Sequence, residues 1–123
     1  MTPTDVQGWL DRYVAAWRSN DRAQIGDLFS EDARYRFYPW DAWKVGREAI
    51  VVSWLEDPDD PAAWEASYEP FAVAGDRAVA IGTSRYSASA DKPERTYYNC
   101  FLLRFAADGR CSEFTEYYTR EPD

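Results

Sequence analysis

An α+β fold, with helices packed on one face of a curved sheet, is predicted by three features of this 123-residue chain. Apolar residues recur at helical spacing through Val6, Trp9, Leu10, Tyr13, Val14 and Trp17. Roughly from residue 64 onward the pattern changes to strands, with a Gly75-Asp76 turn between runs at about 64–74 and 77–88. An Asp108-Gly109 pair then separates 95–106 from 110–119, the strongest short-range signal for a hairpin.

Taken in order, Thr4 and Gln7 predict a capping box at the start of the first helix. Asp21 and Gln24 repeat that pattern and open a short second helix carrying Ile25, Leu28 and Phe29. Ala33 to Tyr38 alternates as a strand, with Ala33, Tyr35 and Phe37 on one side and Arg34, Arg36 and Tyr38 on the other. A Pro39-Trp40 loop leads to Gly46 and a third helix that buries Ile50, Val51, Trp54 and Leu55, ended by Pro58-Asp59-Asp60-Pro61. Four antiparallel strands complete the chain, with a polar loop at 89–94. No linker or repeat divides residues 1–123, so they form a single domain.

The last hairpin fixes a face. A two-residue turn pairs Phe101 with Glu116, Leu103 with Phe114, and Asn99 with Tyr118, and places all six on one side. The other side carries Tyr98, Cys100, Leu102 and Arg104 against Thr119, Tyr117, Thr115 and Glu113, with Arg104 and Glu113 as a surface pair. Glu116 has no such partner and stands among apolar residues. A buried charge needs a partner, a proton or a ligand.

Composition narrows the chemistry. The chain is 46% hydrophobic and 17% aromatic, more rings than one small core requires, which points to a ring-lined cavity or an apolar interface. A net charge of −8 argues against nucleic acid or an anionic membrane surface as partner. No run approaches the ~18 apolar residues of a membrane span, and the MTPTDVQGW start lacks signal-peptide features, so a cytoplasmic location is expected. Histidine is absent, which removes imidazole as base or ligand and leaves zinc only two cysteines and carboxylates. No GxGxxG or P-loop occurs. Neither a metal nor a nucleotide cofactor is expected. Cys111 lies six positions from the hairpin partner of Cys100, too far for a disulfide at ~3.3 Å per residue, so both are read as free thiols.

The runs Asp11-Arg12-Tyr13-Val14-Ala15-Ala16-Trp17, Ile25 to Ala33, and Gly46-Arg47-Glu48-Ala49-Ile50, closed by the Asp108-Gly109-Arg110-Cys111 hairpin, resemble the NTF2-like superfamily. Within it the chain is similar to small SnoaL-like and ketosteroid-isomerase-like domains over its whole length. The resemblance implies a cone-shaped α+β barrel, a curved antiparallel sheet wrapped around the N-terminal helices, with a deep apolar pocket. It also implies a homodimer packed through the outer sheet face. Tyr13 stands where ketosteroid isomerases carry a tyrosine that donates to the oxyanion. Phe37 stands where they carry the base, and Phe101 where they carry a second acid, so steroid isomerisation by that route is not expected. SnoaL-type cyclases have a histidine and an acid two residues apart on the last strand. Phe114 and Glu116 occupy those positions here, and only the acid remains.

Glu116 and Tyr13 are therefore the candidate catalytic residues. Tyr35, Phe37, Trp40, Trp54, Arg85, Asn99, Phe101, Phe114 and Tyr118 are the candidate substrate-binding residues. For Glu116 two readings stand: a rim carboxylate held by Arg85 or a tyrosine, or a general acid or base whose pKa is raised by apolar walls. Arg85 follows Ile81 and Thr83 by alternation, and either enters the cavity or faces solvent. Tyr13 is either a core aromatic or a polarising donor. Two functions follow. One is a cofactor-independent acid/base enzyme (isomerase, cyclase, dehydratase or epoxide hydrolase) on a small, largely apolar substrate. The other is a non-catalytic module for apolar-ligand binding or dimerisation. A second polar group within reach of Glu116, facing open cavity, favours the enzyme. A Glu116 sealed by Arg85 favours the module.

Overall fold

Helix α1 (Pro3–Ser19) starts earlier than Thr4-Gln7 predicts, because the segment before it makes a better cap. The Thr2 hydroxyl accepts from the Asp5 N–H at 3.1 Å, and the Asp5 carboxylate accepts from the Thr2 N–H at 2.9 Å. Pro3 sits in the first turn, where no N–H is needed. Asn20 ends the helix in a left-handed conformation (φ 54°). Asp21 caps α2 (Arg22–Asp27) as expected.

The computed structural model describes all 123 residues. After α2 come β1 (Phe29–Arg36), β2 (Lys44–Val45), α3 (Arg47–Glu56), a 3₁₀ turn at Pro61–Ala63, β3 (Trp64–Ala74), β4 (Arg77–Tyr86), β5 (Arg95–Phe105) and β6 (Cys111–Arg120). Phe29 opens β1 instead of closing α2, since the Leu28 carbonyl is held by the Cys111 N–H and the Trp9 indole.

The strands form one curved, unclosed sheet in the order β2-β1-β6-β5-β4-β3. It is not wholly antiparallel. β1 lies parallel to β6, with Tyr35 beside Phe114, and the chain between them supplies the long crossover that a parallel pair needs.

The β5–β6 register is the one predicted, with Phe101 facing Glu116, Leu103 facing Phe114 and Asn99 facing Tyr118. The route to it differs. Gly109 (φ 86°) closes a wider loop, in which the Ala106 N–H donates to the Arg110 carbonyl and pairs Phe105 with Cys111. A bulge at Ser112 then offsets that slip, so the remaining pairs fall where a two-residue turn would put them. Arg104 stands opposite Glu113, but their ion pairs go elsewhere: Arg104 to Asp76 at 3.2 Å and Glu113 to Arg34 at 2.5 Å.

The core is built from rings. Trp9 meets Phe29, Phe105 and Phe114, and Tyr13 lies stacked on Phe114 at 5.7 Å. Further along α1, Trp17 stacks on Trp64 at 3.6 Å. The helix runs alongside β3, with Met1 at the Gly75 carbonyl, Gln7 at the Tyr68 carbonyl and Trp17 on Trp64, and it turns Trp9 and Tyr13 onto the inner face of β5 and β6. On β4 the inner residues are Ala78, Ala80, Gly82 and Ser84. A β-carbon on Gly82 would overlap the Ser67 carbonyl and the Tyr68 ring, so glycine is what lets Tyr68 lie flat against β4. Both cysteines are free. No helix is long and apolar enough to cross a membrane.

Candidate functional site

The rings that α1 turns inward cover the sheet as far as Phe101, and beyond it a cavity of about 390 Å³ opens. Its walls come from Tyr13 on α1, Tyr35 and Phe37 at the end of β1, Trp54 on α3, and Tyr68 on β3. Its sheet side carries a polar row. Ser84 on β4, Asn99 on β5 and Glu116 on β6 are diagonal neighbours across three strands. The Ser84 hydroxyl donates to Asn99 Oδ1 at 3.0 Å, and Asn99 Nδ2 donates to Glu116 Oε2 at 2.6 Å. Ser84 and Asn99 are both buried. The serine fixes which way the amide faces, and the amide fixes one oxygen of the carboxylate, leaving the other free.

Electrostatics follow from that setting. Burial pushes the Glu116 pKa up to about 7, against a smaller lowering by the Asn99 hydrogen bond. No cation pairs with it. Burial, reinforced by their closeness to each other and by the Glu116 charge, holds Tyr13 and Tyr35 well above the ordinary tyrosine value, so both keep their protons. Around the mouth, the Tyr118 hydroxyl donates to that of Tyr38 at 3.2 Å, and Tyr97 stands edge-on to both Tyr118 and Tyr86. Arg95 supplies the one cationic side chain of the lining, its guanidinium 4.7 Å above the Tyr86 ring. No group of three histidine, cysteine, aspartate or glutamate side chains is placed to hold a metal.

Glu116, Tyr13, Tyr35, Phe37, Trp54, Asn99 and Tyr118 therefore meet at one cavity, with Phe37 and Tyr118 at its rim. Four expected residues do not line it. Arg85 lies on the outer face, largely exposed, with Glu94 3.5 Å away. The alternation of β4 runs opposite to the one expected, because its inner positions are the small residues over which Tyr68 and α1 pack. Trp40 is 78% exposed and stacks on Tyr38 from outside the rim. Phe101 and Phe114 are sealed beneath Tyr13 and form the floor under the cavity, not its wall.

Ser84, Tyr68, Tyr86, Tyr97, Trp17 and Arg95 also line the cavity and were not expected there. The signal for Ser84 lay in pairing β4 to β5 through the 87–94 loop, which puts Gly82 opposite Asn99.

The sequence pattern of the SnoaL-like domain family matches residues 10–114. No functionally curated protein matches the chain. Among solved structures, it is similar to an NTF2-like protein of unknown function from Burkholderia xenovorans, with 18% identity, a TM-score of 0.71, and coverage of 98% of this chain and 87% of the other. An NTF2-like protein of unknown function from Mesorhizobium loti has 25% identity and a TM-score of 0.67, with 95% and 93% covered. A ketosteroid isomerase-like protein from Erwinia carotovora atroseptica has 16% identity and a TM-score of 0.65, with 98% and 97% covered.

Proposed function

The chain belongs to the SnoaL-like domain family, and on that fold we propose a cofactor-independent acid/base enzyme acting on a small, largely apolar substrate. One observation carries the proposal. Glu116 faces the cavity with Asn99 2.6 Å from one of its oxygens and no cation to neutralise it. Asn99 is thus a second polar group beside Glu116 in open cavity, and Arg85, which would have sealed the carboxylate, points away.

The mechanism follows from the pKa. Near neutral pH Glu116 is populated in both forms, so its carboxylate takes a proton from a substrate carbon or hydroxyl and its acid form returns one. Asn99 orients the carboxylate, and the protonated hydroxyl of Tyr13 polarises the substrate. By the resemblance to ketosteroid isomerases Phe37 stands where their base would be, and Glu116 reaches the cavity from β6, the strand next to β1. The reaction class is proton transfer: isomerisation, cyclisation, dehydration or epoxide opening.

The test is a panel of small cyclic ketones, read by deuterium exchange at the carbon beside the carbonyl, and of epoxides, read by diol formation. Glu116→Gln is expected to keep the fold and lower the rate by at least about 100-fold. Equal rates in the two proteins would refute the acid/base role. Binding without exchange in either would favour the non-catalytic module.

For assembly we propose a homodimer through the outer sheet face, where Tyr98, Leu102 and Tyr117 are 48%, 42% and 45% exposed. Cys100 lies in that patch. Thr115 does not, because Arg36 covers it at 3.2 Å with its guanidinium against Trp43. Light scattering at micromolar concentration should give twice the 14.2 kDa chain mass, and a monomer would refute it.

A further inference from the structure

The inner face of the sheet is laid out in rungs. One diagonal across β4, β5 and β6 is Ser84, Asn99 and Glu116, and two residues farther along each strand, toward the mouth, lies another: Tyr86, Tyr97 and Tyr118. All three tyrosines line the cavity. Tyr97 stands edge-on to its neighbours, its ring centre 5.7 Å from that of Tyr86 and 5.4 Å from that of Tyr118. A carboxylate is thus followed outward by a belt of rings.

The carboxylate has no counter-charge. Glu116 takes part in no ion pair, and its one hydrogen bond comes from the neutral amide of Asn99. The groups that face it from the packed elements are neutral as well. Burial above all, with the Glu116 charge adding to it, keeps the proton on Tyr13 of α1, Tyr35 of β1, Tyr68 of β3 and Tyr86 of β4. Past the end of α3, Asp57 and Asp59 bring two more carboxylates to the lining. Against these three stands one guanidinium, that of Arg95, which rests 4.7 Å above the Tyr86 ring.

This arrangement has a sign. A desolvated carboxylate without a partner is costly, and a positive charge brought near it lowers that cost. Ring faces attract positive charge too, as Arg95 shows at Tyr86, while no cationic side chain of the protein lies over Tyr97 or Tyr118. An anion would meet the carboxylates instead.

We propose that the cavity selects a substrate with an apolar body and one positively charged nitrogen, held against Tyr97 and Tyr118 within the field of Glu116. This deepens the enzymatic reading and rests on the cavity being a substrate site, but it holds whether or not Glu116 moves a proton. A cation there favours the ionised carboxylate, whose second oxygen stays free of Asn99.

The probes are choline, 3,3-dimethylbutan-1-ol and 3,3-dimethylbutanoate, matched in shape and differing in charge. Each is titrated into the protein and followed by NMR at the indole N–H groups of Trp17 and Trp54, both in the lining. At pH 8 choline is expected to bind at least about threefold more tightly than the neutral alcohol, and the anion least tightly. Choline keeps its charge at every pH, so its advantage should shrink toward about pH 5.5 as Glu116 gains a proton. By reciprocity, saturating choline should lower the Glu116 titration midpoint. Glu116→Gln should leave a smaller advantage that no longer follows pH. Tyr97→Leu should reduce the advantage while the neutral alcohol binds as before.

Failure of choline to bind, equal or tighter binding of the alcohol, or an advantage that survives both substitutions would overturn the proposal. A preference for the anion would do so too, and would make Arg95 the determinant. Choline preference with no turnover of any ketone or epoxide would sink the enzymatic reading and leave this inference standing. Turnover of neutral ketones that depends on Glu116, with no preference for choline, would do the reverse.

Discussion

One face of the β5–β6 hairpin is two different environments. Near the turn, Phe101, Leu103 and Phe105 meet Phe114 and Cys111 under Trp9 and Tyr13, and the packing is closed. Beyond Phe101 the same ladder continues with Asn99, Glu116 and Tyr118, and the cavity begins. Both halves belong to the same antiparallel pair of strands. The difference is the cover. α1 lies alongside β3 and turns Trp9 and Tyr13 onto one half, while Trp17 stays over Trp64 and the other half is left open. A sheet face becomes a core or a site according to what lies over it, and the residue types follow: apolar where covered, a polar row where open.

The largest expected effect lies in the closed half. Phe114→Ala removes the ring on which Tyr13, Tyr35 and Phe101 converge, and should cost about 3–5 kcal/mol in chemical denaturation. A loss below about 1 kcal/mol would show that this half is not the closed core described.

Glu116→Gln in the open half should act in the opposite direction. Below about pH 4.3 the carboxyl is protonated folded or unfolded, and burial has no charge to penalise. Above the folded value of about 7 the native state carries a buried charge that the unfolded chain hydrates freely. Wild-type stability should therefore fall as pH rises from about 4.3 to 7, by about 3 kcal/mol in total. Glu116→Gln should flatten that slope, gaining most at pH 8 and nothing near pH 4. Urea midpoints across pH would check this, and a variant less stable at pH 8 than wild type would contradict it.

Smaller still is Asn99→Ala, which unpairs the Ser84 hydroxyl and removes the donor to the carboxylate, for a loss of about 1–2 kcal/mol at pH 8. Its sharper signature is direction. The hydrogen bond from Asn99 holds the Glu116 pKa down, so removing it should raise the titration midpoint further. A lowered midpoint would mean that the relay does not orient the carboxylate.

Much of this was legible in the sequence. The helical stripe, the turn at Asp108-Gly109 and the isolated carboxylate gave the fold class and the face of Glu116 from local rules alone. The hairpin register came out right although the loop is wider, because the bulge at Ser112 offsets the slip. The side of β4 was not legible. Val79 and Ile81 are its larger apolar residues and yet face outward, since Ala78, Ala80 and Gly82 must be small to accept α1 and Tyr68. That one inversion moved Arg85 outside and hid Ser84. Trp40 failed for a related reason, as a loop ring follows no strand alternation. Depth was also invisible: Phe101 and Phe114 share the face of Glu116, but only the path of α1 separates floor from wall.

The most direct test of Glu116 as the poised acid/base group of an open, ring-lined cavity is its own titration. Following its side-chain carboxyl carbon by ¹³C NMR, with Glu116→Gln to assign the resonance, should give a midpoint near 7. A midpoint at the ordinary value of about 4.3 would mean that the carboxylate is solvated like any surface glutamate, and would contradict the account.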